Sequence, residues 1–312
     1  MSILMERLSS HNDPDKFLVK VDDIQASMLP IYTRMEMLST LFGNEPPWPY
    51  PIALDAAVPT KFDSLEDARN SVTHLANLSL RFIRSVQHCK YEPFSLPSSA
   101  TGEQAALLHH LDLWTKRLSA YQVICEARKT PTHMYAANVL KIGHIVMTIW
   151  VNVAFTRFEC AHDAYMHEFE TAVSLAEQLP VIASTADQSM RYANTFTLDV
   201  EMIGPIHWVS IKCRDPVVRR RALEVQRGTR RREGLWDSQA YAALAERIIA
   251  LEETGLEAGE MPPENARVHH AMIERSRDIA PMTHVITVQS MPDGIGGGLV
   301  TWQDHVSLDT IN

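Results

Sequence analysis

The stretch Thr132-His-Met-Tyr-Ala-Ala-Asn-Val-Leu-Lys-Ile-Gly-His-Ile-Val-Met-Thr-Ile-Trp-Val-Asn-Val153 decides how this chain must fold. It is apolar on nearly every side of a helical wheel, the pattern of a helix enclosed by others rather than one lying at a surface. Its most apolar part runs from Ile142 to Phe155, which as a helix reaches about 21 Å where a bilayer core needs about 30 Å. It also carries His144 and Asn152. A central buried helix is therefore expected, with no membrane contact.

Amphipathic runs on both sides supply its cover. Ser64-Leu-Glu-Asp-Ala-Arg opens a helix: Ser64 can cap the free amides and Glu66 and Asp67 suit the positive end, with Leu65, Ala68, Val72, Leu75, Leu78 and Phe82 at helical spacing. A second run from Gly102 to about Arg128 puts Leu107, Leu111, Trp114, Leu118, Tyr121 and Cys125 on one face, and Thr130-Pro131 ends it or begins the next. A further helix is expected from Phe155 to Leu179, closed by Pro180, with Phe158, His162, Tyr165 and Phe169 inward and Glu159, Asp163, His167 and Glu170 outward. Asp215-Pro216 caps a helix carrying Val218, Ala222 and Val225, and Asp237 caps a last one with Tyr241, Leu244 and Ile248 that ends near Gly255.

Beyond Met261-Pro-Pro the pattern changes to short β-branched runs, Arg267-Val-His-His-Ala-Met-Ile, His284-Val-Ile-Thr-Val-Gln and Gly298-Leu-Val-Thr-Trp. The expected fold class is all-α, a multi-helix domain with a small β-containing C-terminal tail. The expected division is an irregular segment over 1–55, a helical domain over 56–260 and a β-tail over 261–312 packed on the helical body. The first segment holds a helix expected from Val21 to Leu41 and the surface connector Asn44-Glu-Pro-Pro-Trp-Pro-Tyr-Pro, which proline keeps out of helix and central strand.

The 312 residues, 46% hydrophobic and 21% charged, can bury a large core without a disulfide or metal. A net charge of −9 gives no bulk attraction for nucleic acid or anionic lipid, so any such contact has to be local. The amino terminus turns polar before a signal-peptide core builds up, which suggests an intracellular protein. Cys89, Cys125, Cys160 and Cys213 contain no C-x-x-C pair and read as four buried free thiols.

Candidate chemistry is sparse. Glu159, Asp163 and His167 share the spacing of a helical metal site, but this is the polar side of an amphipathic helix, so solvation is the stronger reading. No metal and no cofactor are expected. The doublets His109-His110 and His269-His270 diverge on a helix or strand and make no natural chelate. Asp293-Gly-Ile-Gly-Gly-Gly lacks the following helix of a dinucleotide site and reads as a hairpin loop. The sequence has no nucleophile elbow, zincin motif or Walker loop, which lowers the expectation of an enzyme.

The most unusual composition lies between Lys212 and Arg232, where nine basic side chains face two acidic ones in 21 residues. Arg214, Arg219, Arg220, Arg221, Arg230, Arg231 and Arg232 form a basic patch with several readings. Phosphate contact, a nuclear-import address and an acidic partner surface compete with a structural role, in which the arginines fork onto carboxylates such as Glu252 and Glu253.

Three blocks of this region, Phe196-Thr-Leu-Asp-Val, Lys212-Cys-Arg-Asp-Pro-Val-Val-Arg-Arg-Arg-Ala-Leu and Arg231-Arg-Glu-Gly-Leu-Trp-Asp-Ser followed by Ile249-Ala-Leu-Glu-Glu, resemble the carboxy-terminal region of fungal zinc-cluster (Zn2Cys6) transcription factors. Pro59-Thr-Lys-Phe-Asp-Ser-Leu-Glu-Asp-Ala-Arg and the helix from Phe158 to Phe169 resemble the same family in the same order. The resemblance implies an all-helical regulatory region, a nuclear location and control of a gene set, often a secondary-metabolite cluster. It also implies that the Arg-rich motif belongs to the helical body, which favours the structural role of those arginines.

The family's six-cysteine zinc module is not among these residues, since no cysteine precedes Cys89. DNA contact is therefore expected to be indirect, through a DNA-bound regulator or a second copy of the chain, with a small-molecule effector as a further partner. The rival expectation is a cluster-encoded enzyme or small-molecule-binding protein with a pocket among apolar helices around Trp150, Phe155 and Trp208. Trp236 is expected to be a buried anchor.

Overall fold

The computed structural model describes residues 54–91, 96–125, 130–185, 201–274, 283–294 and 296–307. The helix expected over Val21–Leu41, the proline connector and Phe196–Val200 lie outside them.

Among the described residues seven α-helices form the body: α1 (Leu65–Val86), α2 (Ala100–Ile124), α3 (Pro131–Asn152), α4 (Met166–Thr185), α5 (Ile203–Lys212), α6 (Pro216–Gly228) and α7 (Ser238–Glu252). A two-stranded hairpin, β1 (Arg232–Glu233) and β2 (Trp236–Asp237), joins α6 to α7, and an antiparallel meander, β3 (Val268–Ile273), β4 (Thr283–Ser290) and β5 (Val300–Ser307), follows. The protein is thus an all-α body with a small β-sheet at its carboxy-terminal side.

Local chemistry sets the boundaries. Ser64 Oγ accepts the Asp67 amide at 3.1 Å and the Asp67 carboxylate accepts the Ser64 amide at 2.9 Å, a reciprocal cap on α1. Thr130 caps α3 through the His133 amide and Pro131 fills its first turn, so this pair begins a helix. Asp215 accepts the Val217 and Val218 amides at 2.9 Å, and Asp237 does the same for Gln239 and Ala240.

Helix α3 is at the centre. Although it is long and apolar enough to cross a membrane by length and composition, it packs against α1, α2, α4 and α5. Met147 and Val151 join one core with Leu75, Phe82, Leu111, Trp114 and Leu118, while Ile142 and Ile149 join another with Phe169, Ala172, Ile206 and Val209. Trp114 locks the first core by donating Nε1–H to the Ala68 carbonyl at 2.9 Å and stacking on His144, with ring centroids 4.7 Å apart. The sheet packs one face on α7, where Ile286, Val288 and Val306 meet Leu244 and Ile248.

The region after α3 departs from the single helix expected over Phe155–Leu179. Phe155 belongs to a turn, Glu159–Tyr165 forms a 3-10 helix, and α4 starts at Met166 and runs through Pro180 to Thr185. The Glu264 carboxylate accepts the amides of Glu159 and Cys160 at 2.8 and 2.7 Å and so holds the start of the tighter turn. With three residues per turn, Glu159 and His162 share one face, and both point inward. Cysteine burial is also mixed: Cys89 and Cys213 are buried, Cys125 is intermediate and Cys160 is exposed at this capped turn.

Candidate functional site

Two features meet where α5, α6 and α7 approach β3. The first is a buried knot of ion pairs. Arg214 sits between α5 and α6 with its side chain fully enclosed, and donates to the Lys212 carbonyl at 2.9 Å, Glu159 Oε2 at 3.1 Å, Glu252 Oε1 at 2.9 Å and the Val268 carbonyl at 3.1 Å. Arg219, equally enclosed, donates to Glu252 Oε2 at 2.6 Å, and the Val268 amide adds a third contact to that carboxylate at 2.8 Å. Lys212 Nζ donates to Glu159 Oε2 at 2.7 Å and to the carbonyls of His269 and Val268 at 2.8 and 3.3 Å, which uses its three protons. Burial alone would raise the pKa of Glu159, but Lys212 and Arg214 overcome it and hold the carboxyl well below the usual range. Burial pushes Lys212 down to about 8, with Glu159 opposing.

The remaining arginines divide by position. Arg220 pairs with Glu253, Arg221 with Glu177 at 2.7 Å, and Arg227 with Glu224 and Glu246 at 2.6 Å each. Arg231 lies between Glu201, Glu233 and the Tyr135 hydroxyl. Arg230 and Arg232 are exposed; Arg230 has no carboxylate partner among the described residues, and Arg232 donates to the Gly234 carbonyl. The patch is therefore mostly a set of inter-helix forks, with two arginines left at the surface.

The Arg-Arg-Glu-Gly-Leu-Trp-Asp motif has a local physical account. Glu233 accepts the amides of Glu201, Met202 and Ile203 at 2.9 to 3.0 Å, so the hairpin caps α5 with a carboxylate at its positive end. Gly234, at φ 55°, makes the turn a left-handed position requires. Trp236 then lies against Gly204, where a Cβ would stand 3.0 Å from the indole ring. Trp236 is half-buried rather than fully enclosed as expected, because its other side borders a cavity.

That cavity is the second feature. It has a volume of about 890 Å³ and is lined by α1, α3, α5 and β3 and β4, the β4 residues Thr287 and Gln289 lying on the sheet face opposite the one packed on α7. Its apolar wall includes Ala76, Leu80, Val139, Val146, Trp150 and Trp208. Trp150 and Trp208 approach with centroids 6.1 Å apart, and His162 meets Trp208 edge-on at 5.5 Å. The lining includes a cluster of His207, Trp236 and Tyr241 with centroids 4.3 to 5.9 Å apart. It also includes a charged part, in which Lys90, Tyr91, Lys212 and His270 lie around Glu159, with Arg157 two residues before that carboxylate in the chain. Burial lowers His162 and His207 to about 3 each, so both are neutral imidazoles, anchored through Nδ1 to the carbonyls of Glu159 and Tyr241.

The three weak metal candidates have separate commitments. Glu159 belongs to the ion-pair knot, Asp163 takes a bidentate fork from Arg267 at 2.7 and 2.8 Å, and His167 is exposed on α4. Glu159 is thus buried rather than solvated. Of the three residues expected around a pocket, Trp150 and Trp208 line the cavity, whereas Phe155 packs edge-on against Phe82 in the core, 5.7 Å away. Sequence reasoning missed Lys90, Arg157, His207 and Tyr241 as lining residues. A usable signal was present: Gly143 and Gly204 interrupt otherwise apolar helices, and an isolated glycine there marks open space or close approach.

A helical body around a hydrophobic cavity is an architecture suited to holding a small molecule. Comparison with known proteins adds a region similar to a fungal transcription regulator. The match is to the aspercryptin biosynthesis cluster-specific transcription regulator atnN of Emericella nidulans, 38% identical over 81 residues. It covers 23% of this chain and 13% of that protein's length. No family model and no solved structure matches the chain.

Proposed function

We propose that this chain is a regulator of transcription for a fungal secondary-metabolite gene cluster, working in the nucleus through its helical body, with a small-molecule effector held in the central cavity. The observation that carries the proposal is the cavity of about 890 Å³ bounded by Trp150 and Trp208, within a chain whose partial relative is a cluster-specific transcription regulator. Residues 56–260 serve as the regulatory body, and β3 and β4 of the tail over 261–312 line one wall of its cavity. DNA is reached through a DNA-bound regulator or a second copy of the chain.

An occupant of the cavity meets the buried ion-pair knot directly, because the cavity wall and the knot share Glu159 and Lys212. An enzyme in the same cavity is less well supported. Imidazoles lowered to about 3 are weak bases at neutral pH, which suits His162 and His207 to hydrogen bonding and packing rather than proton transfer.

The test is disruption of the gene in its own host, with transcript measurement across the neighbouring biosynthetic genes and chromatin capture through the tagged full chain. Changed cluster transcripts and promoter recovery that depends on another regulator are expected. Unchanged transcripts, or capture of no promoter DNA, would overturn the proposal.

A further inference from the structure

The cavity's charged part carries more cationic groups than anionic ones. Lys212 and Arg214 share Glu159, and Arg214 and Arg219 share Glu252, so the two buried carboxylates of the knot are fully engaged. Lys90 follows α1 at the cavity wall and feels Glu159, but has no carboxylate within ion-pair distance among the described residues. Arg157, two residues before Glu159, also lines the wall without a carboxylate partner among the described residues. Both side chains are half-buried. Burial lowers the Lys90 pKa, which marks an ammonium whose charge is poorly compensated where it sits.

Another part of the lining has a different character. Trp150 and Trp208, tilted by 31° to each other, line the cavity together with Val139, Val146 and Gly143, and Phe169 and His162 hold the Trp208 ring. Gly143 has nothing within 4 Å of where a Cβ would stand, so the wall there is open. An aromatic body would fill this section by ring contact and apolar burial.

We infer that the effector is an aromatic acid, its rings against Trp150 and Trp208 and its anionic group at Lys90 and Arg157. This rests on the reading of the cavity as an effector site and adds the ligand's chemical class. A carboxylate or sulfonate accepts charge-assisted hydrogen bonds from both cations, and the engaged Glu159 sets the limit beyond which the anion cannot move.

Two dyes with the same ring system separate the two levels of the argument: 8-anilino-1-naphthalenesulfonate and its uncharged counterpart N-phenyl-1-naphthylamine. Each is titrated into the full chain at low salt and followed by dye emission and by energy transfer from tryptophan. The expected result is binding of both, with the sulfonate preferred about tenfold, and Gly143→Leu weakening both. Lys90→Met and Arg157→Gln, made singly and together, should abolish the sulfonate preference while retaining the uncharged dye; circular dichroism checks that each is folded. If neither dye binds, or Gly143→Leu leaves both signals unchanged, the cavity reading itself falls. If both dyes bind equally, or the preference survives in the folded variants, the aromatic-acid inference falls and the cavity reading stands.

Discussion

Gly143→Leu should make the protein more stable, although the change lies in the middle of its central helix. Glycine in a helix interior costs about 0.8–1 kcal/mol relative to alanine, and leucine is nearly as good a helix former as alanine. Where a core is closed, a new side chain would reverse that gain by overpacking, at about 1–3 kcal/mol. Here a Cβ meets nothing within 4 Å, and the remaining carbons extend along the face shared with Val139, Val146 and Trp150. The net expectation is a gain of about 1 kcal/mol, seen as a rise of about 1–2 °C in Tm for a chain of 312 residues. Differential scanning calorimetry reads the shift. A fall of several degrees would show that the space beside Gly143 is already filled, and would refute the geometry on which the cavity rests.

Other expectations concern the charged groups. Glu252→Ala leaves Arg214 and Arg219 buried without their shared carboxylate and should cost about 3–5 kcal/mol in urea unfolding, whereas Arg220→Ala, at a half-exposed pair, should change stability by less than about 1 kcal/mol. Equal losses would contradict the division into buried knot and surface forks. His144, His162 and His207 have pKa values lowered from 6.5 to about 4, 3 and 3 by burial. The unfolded chain therefore binds protons that the native state refuses. The stability they contribute is complete above pH 6.5 and is lost as pH falls below it, by up to about 1.4 kcal/mol per pH unit for each histidine. Unfolding free energies between pH 6.5 and 5.5, above the usual carboxylate range, should show this slope, and a flat profile would count against it. Gly204→Val should displace the Trp236 ring from its 3.0 Å approach and shift tryptophan emission, and unaltered emission would place that ring elsewhere. Trp236→Ala should cost less than the about 3–5 kcal/mol typical of fully buried aromatics, because one side of the indole borders the cavity.

The helices and the sheet were readable because their signals are local. Ser64, Asp215 and Asp237 cap where capping residues precede periodic runs, and the β-branched segments after Pro263 are the strands. The turn after α3 was not readable, since a carboxylate from Glu264, 105 residues away, sets its 3-10 geometry. That single long-range contact moved Glu159 from an expected solvated face to the interior. The same limit applies to the site. Trp150 and Trp208 could be singled out as apolar anchors, but nothing local marks Lys90 and Arg157 as neighbours of one cavity. Only the assembled fold brings together residues from α1, α3, α5 and β3.

The knot also constrains the order in which the molecule can be completed during synthesis. Glu159, Lys212, Arg214, Arg219 and Glu252 leave the ribosome before the Val268 and His269 backbone groups that complete their hydrogen bonds. Until β3 emerges, the growing chain holds charged side chains destined for the interior with part of their partners missing, and it has to keep them hydrated. The knot therefore gains its last four hydrogen bonds only when β3 is in place. A chain cut upstream of Arg267 keeps the ion pairs among Glu159, Lys212, Arg214, Arg219 and Glu252 within its length but lacks the four hydrogen bonds to Val268 and His269.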